Sequence, residues 1–89
     1  MTIGKMIKVR LIENGASIGG FAKTIGISST MLSLIITGRQ NLTVNVAAKI
    51  GQELGVGFGE ELLKMQSRER LASDLEQYNK LIKEAAIDE

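Results

Sequence analysis

Residues 17–38 read SIGGFAKTIGISSTMLSLIITG, and the rest of the 89-residue chain is organised around them. Ile18, Phe21, Ala22 and Ile25 recur at helical spacing, so they form one apolar face of a short helix. Ser17 precedes that face and suits its N-cap, because a serine hydroxyl accepts from a free N–H of the first turn. Gly26 follows it and suits a helix stop, since glycine enters the left-handed conformation without a Cβ clash. Ile27 then plugs inward, and Ser28 caps a second helix, Ser29 to Thr37. That helix buries Leu32, Ile35 and Ile36 and stops at Gly38.

Two short helices about a tight glycine turn make a helix-turn-helix unit, whose second helix has the size to enter a DNA major groove. The solvent face of that second helix holds Ser29, Thr30, Ser33, Leu34 and Thr37. A surface serving solubility alone carries more Lys and Glu. Small hydroxyl side chains let a helix sit deep in a groove and bond to several base edges. Without Arg, Asn or Gln on that face, no bidentate reader is present, and Leu34 with the Thr methyl groups is left to touch thymine methyls. Just beyond, Arg39, Gln40 and Asn41 offer one cation and two amides to a phosphate strand. Gly19 and Gly20 occupy the first turn of the first helix, where each costs roughly 1 kcal/mol of helix propensity. Two readings of the pair stay open: close packing or simple tolerance near a helix end, or bare N–H groups that approach a phosphate. The expected DNA-facing set is Ser17, Gly19, Lys23, Ser28, Ser29, Thr30, Ser33, Leu34, Thr37, Arg39, Gln40 and Asn41.

The flanks supply a scaffold. Residues 2–14 predict a helix capped by Thr2, with Ile3, Ile7 and Leu11 inward, Met6 alongside, and a stop at Asn14-Gly15. Leu42 anchors the chain before Thr43 caps a helix to Leu54 that buries Val46, Ala47, Ile50 and Leu54. Gly51 within it suggests close approach of a neighbouring helix. Gly55-Val56-Gly57-Phe58-Gly59 is expected to be a connection rather than helix, with Phe58 closing the core. From Glu60 the chain is helical again, with Leu62, Leu63 and Met65 on its early apolar face. Leu71, Leu75, Tyr78, Ile82 and Ala85 continue at heptad-like spacing. Packing back on the same chain and pairing with a second subunit are both open for this seam. The dimer is preferred, with Leu71, Leu75, Tyr78 and Ile82 as its interface. The expected organisation is an all-α chain with a five-helix DNA-binding domain at 1–66 and a C-terminal helix at 67–89 for dimerisation or packing.

Composition narrows the functional classes. The net charge of +1 conceals an asymmetry: residues 1–52 hold six basic side chains against Glu13 alone, a net of +5, whereas residues 53–89 carry a net of −4. A polyanion contact therefore belongs to the front half. The chain has no proline, which favours helices throughout. It has no cysteine, which removes disulfides and thiolate metal sites and suits a reducing cytosol, so a cytoplasmic location is expected. No apolar run reaches the roughly 18 residues of a membrane span, and Lys5, Lys8 and Arg10 interrupt the N-terminal apolar residues, which argues against a signal peptide. Histidine is absent as well, so the commonest acid–base, nucleophile and metal groups are missing. No catalytic residue, metal or cofactor is expected.

Taken together, Ser17-x4-Ala22-x3-Gly26-Ile27-Ser28, Leu32-Ser33-x-Ile35-Ile36-x-Gly38-Arg39 and Ala47-x2-Ile50-x3-Leu54-Gly55 resemble the lambda-repressor-like (Xre/Cro) helix-turn-helix family over residues 3–66. The stretches Arg39-Gln40-Asn41-Leu42-Thr43 and Leu62-Leu63-x-Met65-Gln66 are similar to the HigA/VapI-type antitoxins within it. The resemblance implies a five-helix domain, insertion of the third helix into the major groove, a homodimer on a palindromic operator, and repression of the chain's own operon. It implies base contacts at Ser28, Ser29, Thr30, Ser33 and Leu34, and phosphate contacts at Ser17, Thr37 and Arg39. The chain departs from the family at Ile18, where glutamine is usual, and at Gly20, where glutamate is usual. It has Leu62, Glu69 and Arg70 where the antitoxins tend to carry a tryptophan and a Tyr-Asp pair. The leading expectation is a transcriptional repressor. The alternatives are an antitoxin that masks a toxin partner while regulating its own operon, and a protein-interaction module that has lost DNA binding.

Overall fold

The computed structural model describes residues 2–66 and 69–87, and these form six α-helices with no strand among them. They are α1 (Ile3–Glu13), α2 (Ile18–Ile25), α3 (Ser29–Ile36), α4 (Val44–Leu54), α5 (Val56–Gln66) and α6 (Leu71–Ile87). The chain gathers into two compact units, Met1–Asn41 and Leu42–Glu89. The second unit holds α4, α5 and α6, and α6 packs on α4 and α5. Residues 67–68 and 88–89 of the expected C-terminal segment lie outside the described residues.

Local chemistry sets the helix starts. Thr2, Ser17, Ser28 and Thr43 are the N-caps of α1 to α4, each side chain accepting from the N–H three residues on. Such a bond satisfies one of the donors that a helix start leaves without an intrahelical acceptor, and is worth about 1 kcal/mol.

In the first unit, α1 and α2 pack on α3. The buried side chains are Ile7 and Leu11 from α1, Phe21, Ala22 and Ile25 from α2, and Leu32 and Ile35 from α3. Ile3, Met6, Ile18 and Ile36, expected inward, are only half-buried. Gly4 is buried because α1 approaches α3 there: a Cβ would run into the carbonyl oxygen of Ile36.

The second unit closes around Tyr78. This side chain is fully buried and donates its hydroxyl to the Val56 carbonyl at 2.6 Å. Gly51 of α4 and Gly59 of α5 face the phenol oxygen, and a Cβ on either would overlap it. Here the expected connection at 55–59 is corrected. Only Gly55 is non-helical, at φ 121 and ψ 130, while Gly57 and Gly59 lie within α5. Packing overrides propensity: Gly59 lets α5 approach the Ala47 carbonyl and Gly51 of α4 within about one atom's contact, which no larger residue allows. Phe58, Leu62 and Leu63 are buried as expected, but Met65 is exposed. The Gln66 side-chain amide grips both backbone groups of Leu42, accepting from its N–H at 2.6 Å and donating to its carbonyl.

The seam residues of α6 differ in burial. Leu71, Leu75 and Ile82 are half-buried. Tyr78 is not available to a second subunit, because it is enclosed within its own unit.

Candidate nucleic-acid interface

The geometry of the first unit begins at the turn between α2 and α3. Gly26 takes the left-handed conformation at φ 76 and ψ 30, and the Ile27 N–H reaches back to the Ala22 carbonyl at 3.0 Å. Those bonds close α2 on a glycine that no β-branched residue could replace without strain. Ser28 then turns extended and caps α3, its Oγ accepting from Met31 N at 3.0 Å. Three residues thereby redirect the chain by 114° between the two helix axes.

That turn fixes which side of α3 is covered. Leu32 and Ile35 bury against the unit, and Ser29, Thr30 and Ser33 lie exposed on the other side with half-buried Leu34. The hydroxyls of Ser29, Thr30 and Ser33 have no hydrogen-bond partner among the described residues. Thr37 differs, since its Oγ1 donates to the Ser33 carbonyl at 3.0 Å and stays occupied by the end of its own helix. Ile18, at the start of α2, joins Ser29, Thr30, Ser33 and Leu34 around a shallow open depression. Ile18 is the one residue of this surface outside the set expected from sequence. No local sequence signal marks it, because an isoleucine at that spacing reads as part of the inward face of α2.

The ends of the two helices carry the rest of the set. Ser17 Oγ accepts from Gly20 N at 3.0 Å and keeps its own proton to donate outward. The Gly20 N–H is thus occupied, whereas those of Ile18 and Gly19 have no intrahelical acceptor. Apart from its chain neighbours and the backbone of its own helix, no atom among the described residues lies within 4 Å of where a Cβ on Gly19 would be, so close packing against another element does not account for that glycine. At the far end, Gly38 is left-handed, and the N–H groups of Arg39 and Gln40 both donate to the Leu34 carbonyl at 2.9 and 3.2 Å. This ties down the backbone at the start of the loop while Arg39, Gln40 and Asn41 remain exposed.

Charge follows the same division. Residues 1–41 hold Lys5, Lys8, Arg10, Lys23 and Arg39 against Glu13, a net of +4, and residues 42–89 hold a net of −3. Arg10 lies 3.9 Å from Glu13, the only carboxylate of the first 41 residues. Among the described residues Lys5, Lys8, Lys23 and Arg39 make no ion pair. All twelve residues expected to face DNA fall in the first unit, and eleven of them are exposed, with Leu34 half-buried.

The arrangement offers a neutral, hydroxyl-rich helix face with exposed cations at Lys23 and Arg39. Among the described residues no three His, Cys, Asp or Glu side chains come together. No single helix among them is long and apolar enough to cross a membrane. Compared with protein-family models, with curated proteins and with solved structures, the chain matches none of them.

Proposed function

We propose that the protein is a sequence-specific DNA-binding transcriptional regulator, a repressor that acts by occupying promoter DNA. In this reading α2 and α3 are a helix-turn-helix of the lambda-repressor-like kind, and α3 enters the major groove. The observation that carries it is the 114° turn through Gly26-Ile27-Ser28, which leaves the small-residue face of α3 uncovered. Helix-turn-helix units join their helices at about 90–120° through such short glycine turns. Lys23 and Arg39, both exposed and in no ion pair among the described residues, suit phosphate contacts, and Ser17 and the amide of Gly19 add neutral donors.

A second copy completes the proposed assembly through α6, where Leu71, Leu75 and Ile82 stay half-exposed. A palindromic site whose half-sites lie one helical turn apart, about 34 Å, is the DNA that suits such a homodimer.

Fluorescence anisotropy with a duplex enriched from a random pool tests the function. With Lys23 and Arg39 of two protomers on phosphates, the slope of log affinity against log salt is about −4, a loss of roughly a hundredfold between about 50 and 200 mM. Equal binding of enriched and random duplexes, or affinity indifferent to salt, refutes operator recognition.

A further inference from the structure

The depression on α3 specifies a ligand group more closely than major-groove binding does. Ile18 and Leu34, both half-buried, supply its aliphatic lining, and Ser29, Thr30 and Ser33 surround them with hydroxyls that have no partner within the described residues. No Arg, Lys, Asn or Gln stands on the lining, so neither the bidentate pair to guanine nor that to adenine is available there. The duplex presents one apolar group in its major groove, the C5-methyl of thymine, and the chemistry of the lining matches that group. A net charge of +4 on residues 1–41, with Lys23 and Arg39 in no ion pair among the described residues, supplies the attraction to the phosphates on either side.

We propose that this depression is a thymine-methyl site, and that Leu34 with Ile18 determines specificity by burying that methyl group. The proposal rests on the DNA-binding reading above. Ser29, Thr30 and Ser33 are adaptable partners for the neighbouring base edges, so selectivity lies in the methyl rather than in a fixed hydrogen-bond pattern. Burying one methyl is worth about fourfold in affinity at each such thymine.

The test uses the full-length protein and synthetic duplexes. A duplex enriched from a random pool is remade with uracil at one thymine at a time, which removes only the methyl group. The expected result is about a fourfold weakening at one or two thymines under each α3. At those positions cytosine binds more weakly than thymine, and 5-methylcytosine recovers about fourfold over cytosine. Leu34→Ala abolishes both effects while keeping the salt slope. An enriched duplex that tolerates uracil at every thymine overturns the methyl site alone, without reference to any variant. The same uracil penalty in Leu34→Ala overturns the assignment to Leu34. If no duplex is enriched at all, the DNA-binding reading fails and this proposal fails with it.

Discussion

Replacing Gly51 with alanine places a methyl group on the phenol oxygen of Tyr78, with the ring carbon Cζ at 3.2 Å. Tyr78 is enclosed and bonded to the Val56 carbonyl, so it can withdraw only by giving up that bond. Losing a buried hydrogen bond costs about 1–3 kcal/mol, and overpacking a core adds about 1–3 kcal/mol. Alanine in a helix interior gains about 1 kcal/mol over glycine. The balance is a destabilisation of about 1–5 kcal/mol, with its middle near 3 kcal/mol. Tyr78→Phe alone removes the donor and keeps the ring, at about 1–2 kcal/mol. In that background the overlapping oxygen is gone, the ring edge needs to move by a few tenths of an ångström, and the helix gain remains. Gly51→Ala is then neutral or stabilising, which gives a coupling of about 3 kcal/mol or more between the two sites. Gly59 is the control, because its Cβ would also meet the Ala47 carbonyl oxygen at 2.7 Å and the Gly51 Cα at 3.1 Å. Backbone atoms stand in the way there, and Tyr78→Phe does not rescue Gly59→Ala. Urea unfolding of the four proteins of the cycle, followed by far-ultraviolet circular dichroism, gives the energies. Equal destabilisation by Gly51→Ala in both backgrounds would refute the packing of Tyr78 on Gly51.

Two further outcomes follow from the second unit. Burial, reinforced by the Glu60 carboxylate and partly offset by a backbone hydrogen bond from Glu60, raises the Tyr78 pKa above its ordinary 10.0. The folded state therefore holds this proton more tightly than the unfolded chain does. Its contribution to stability is complete below about pH 10 and is lost as pH rises through the raised value. Tyr78 is the only tyrosine, so phenolate absorbance reports it directly, and a folded-state midpoint at or below the ordinary value would contradict the burial. Gln66→Ala releases both backbone groups of Leu42, costs about 1–3 kcal/mol, and removes hydrogen-exchange protection at the Leu42 amide. Unchanged exchange at Leu42 would mean that the Gln66 amide does not hold it.

What the sequence carries legibly is what acts over one helical turn. Thr2, Ser17, Ser28 and Thr43 read as caps because a cap bond joins a residue to the N–H three positions on, so both partners are visible in a short window. Gly26 and Gly38 read as stops for the same reason, and helical spacing marks Ser29, Thr30 and Ser33 as one face. Gly59 misleads at that range, since glycine lowers helix propensity locally while Tyr78, nineteen residues on, decides its place. The spacing of 71, 75, 78 and 82 says that these residues share a face of α6, and not what covers it. For Tyr78 the cover is the residue's own unit. Gln66 and Leu42 are 24 positions apart, and nothing local ties them together. The depression at Ile18 and Leu34 needs the angle between α2 and α3 before it exists at all.

In the proposed function the exposed face of α3 and the ends that flank it are a DNA interface. Titrating the isotopically labelled protein with an enriched duplex, and following each backbone amide by nuclear magnetic resonance, tests it most directly. Perturbations are expected to concentrate at Ser17, Gly19, Lys23, residues 28–30, Ser33, Leu34, Thr37 and residues 39–41, with the outward residues of α6 little affected. Spectra that do not change with duplex, or changes centred on α6 and absent from α3, would contradict it.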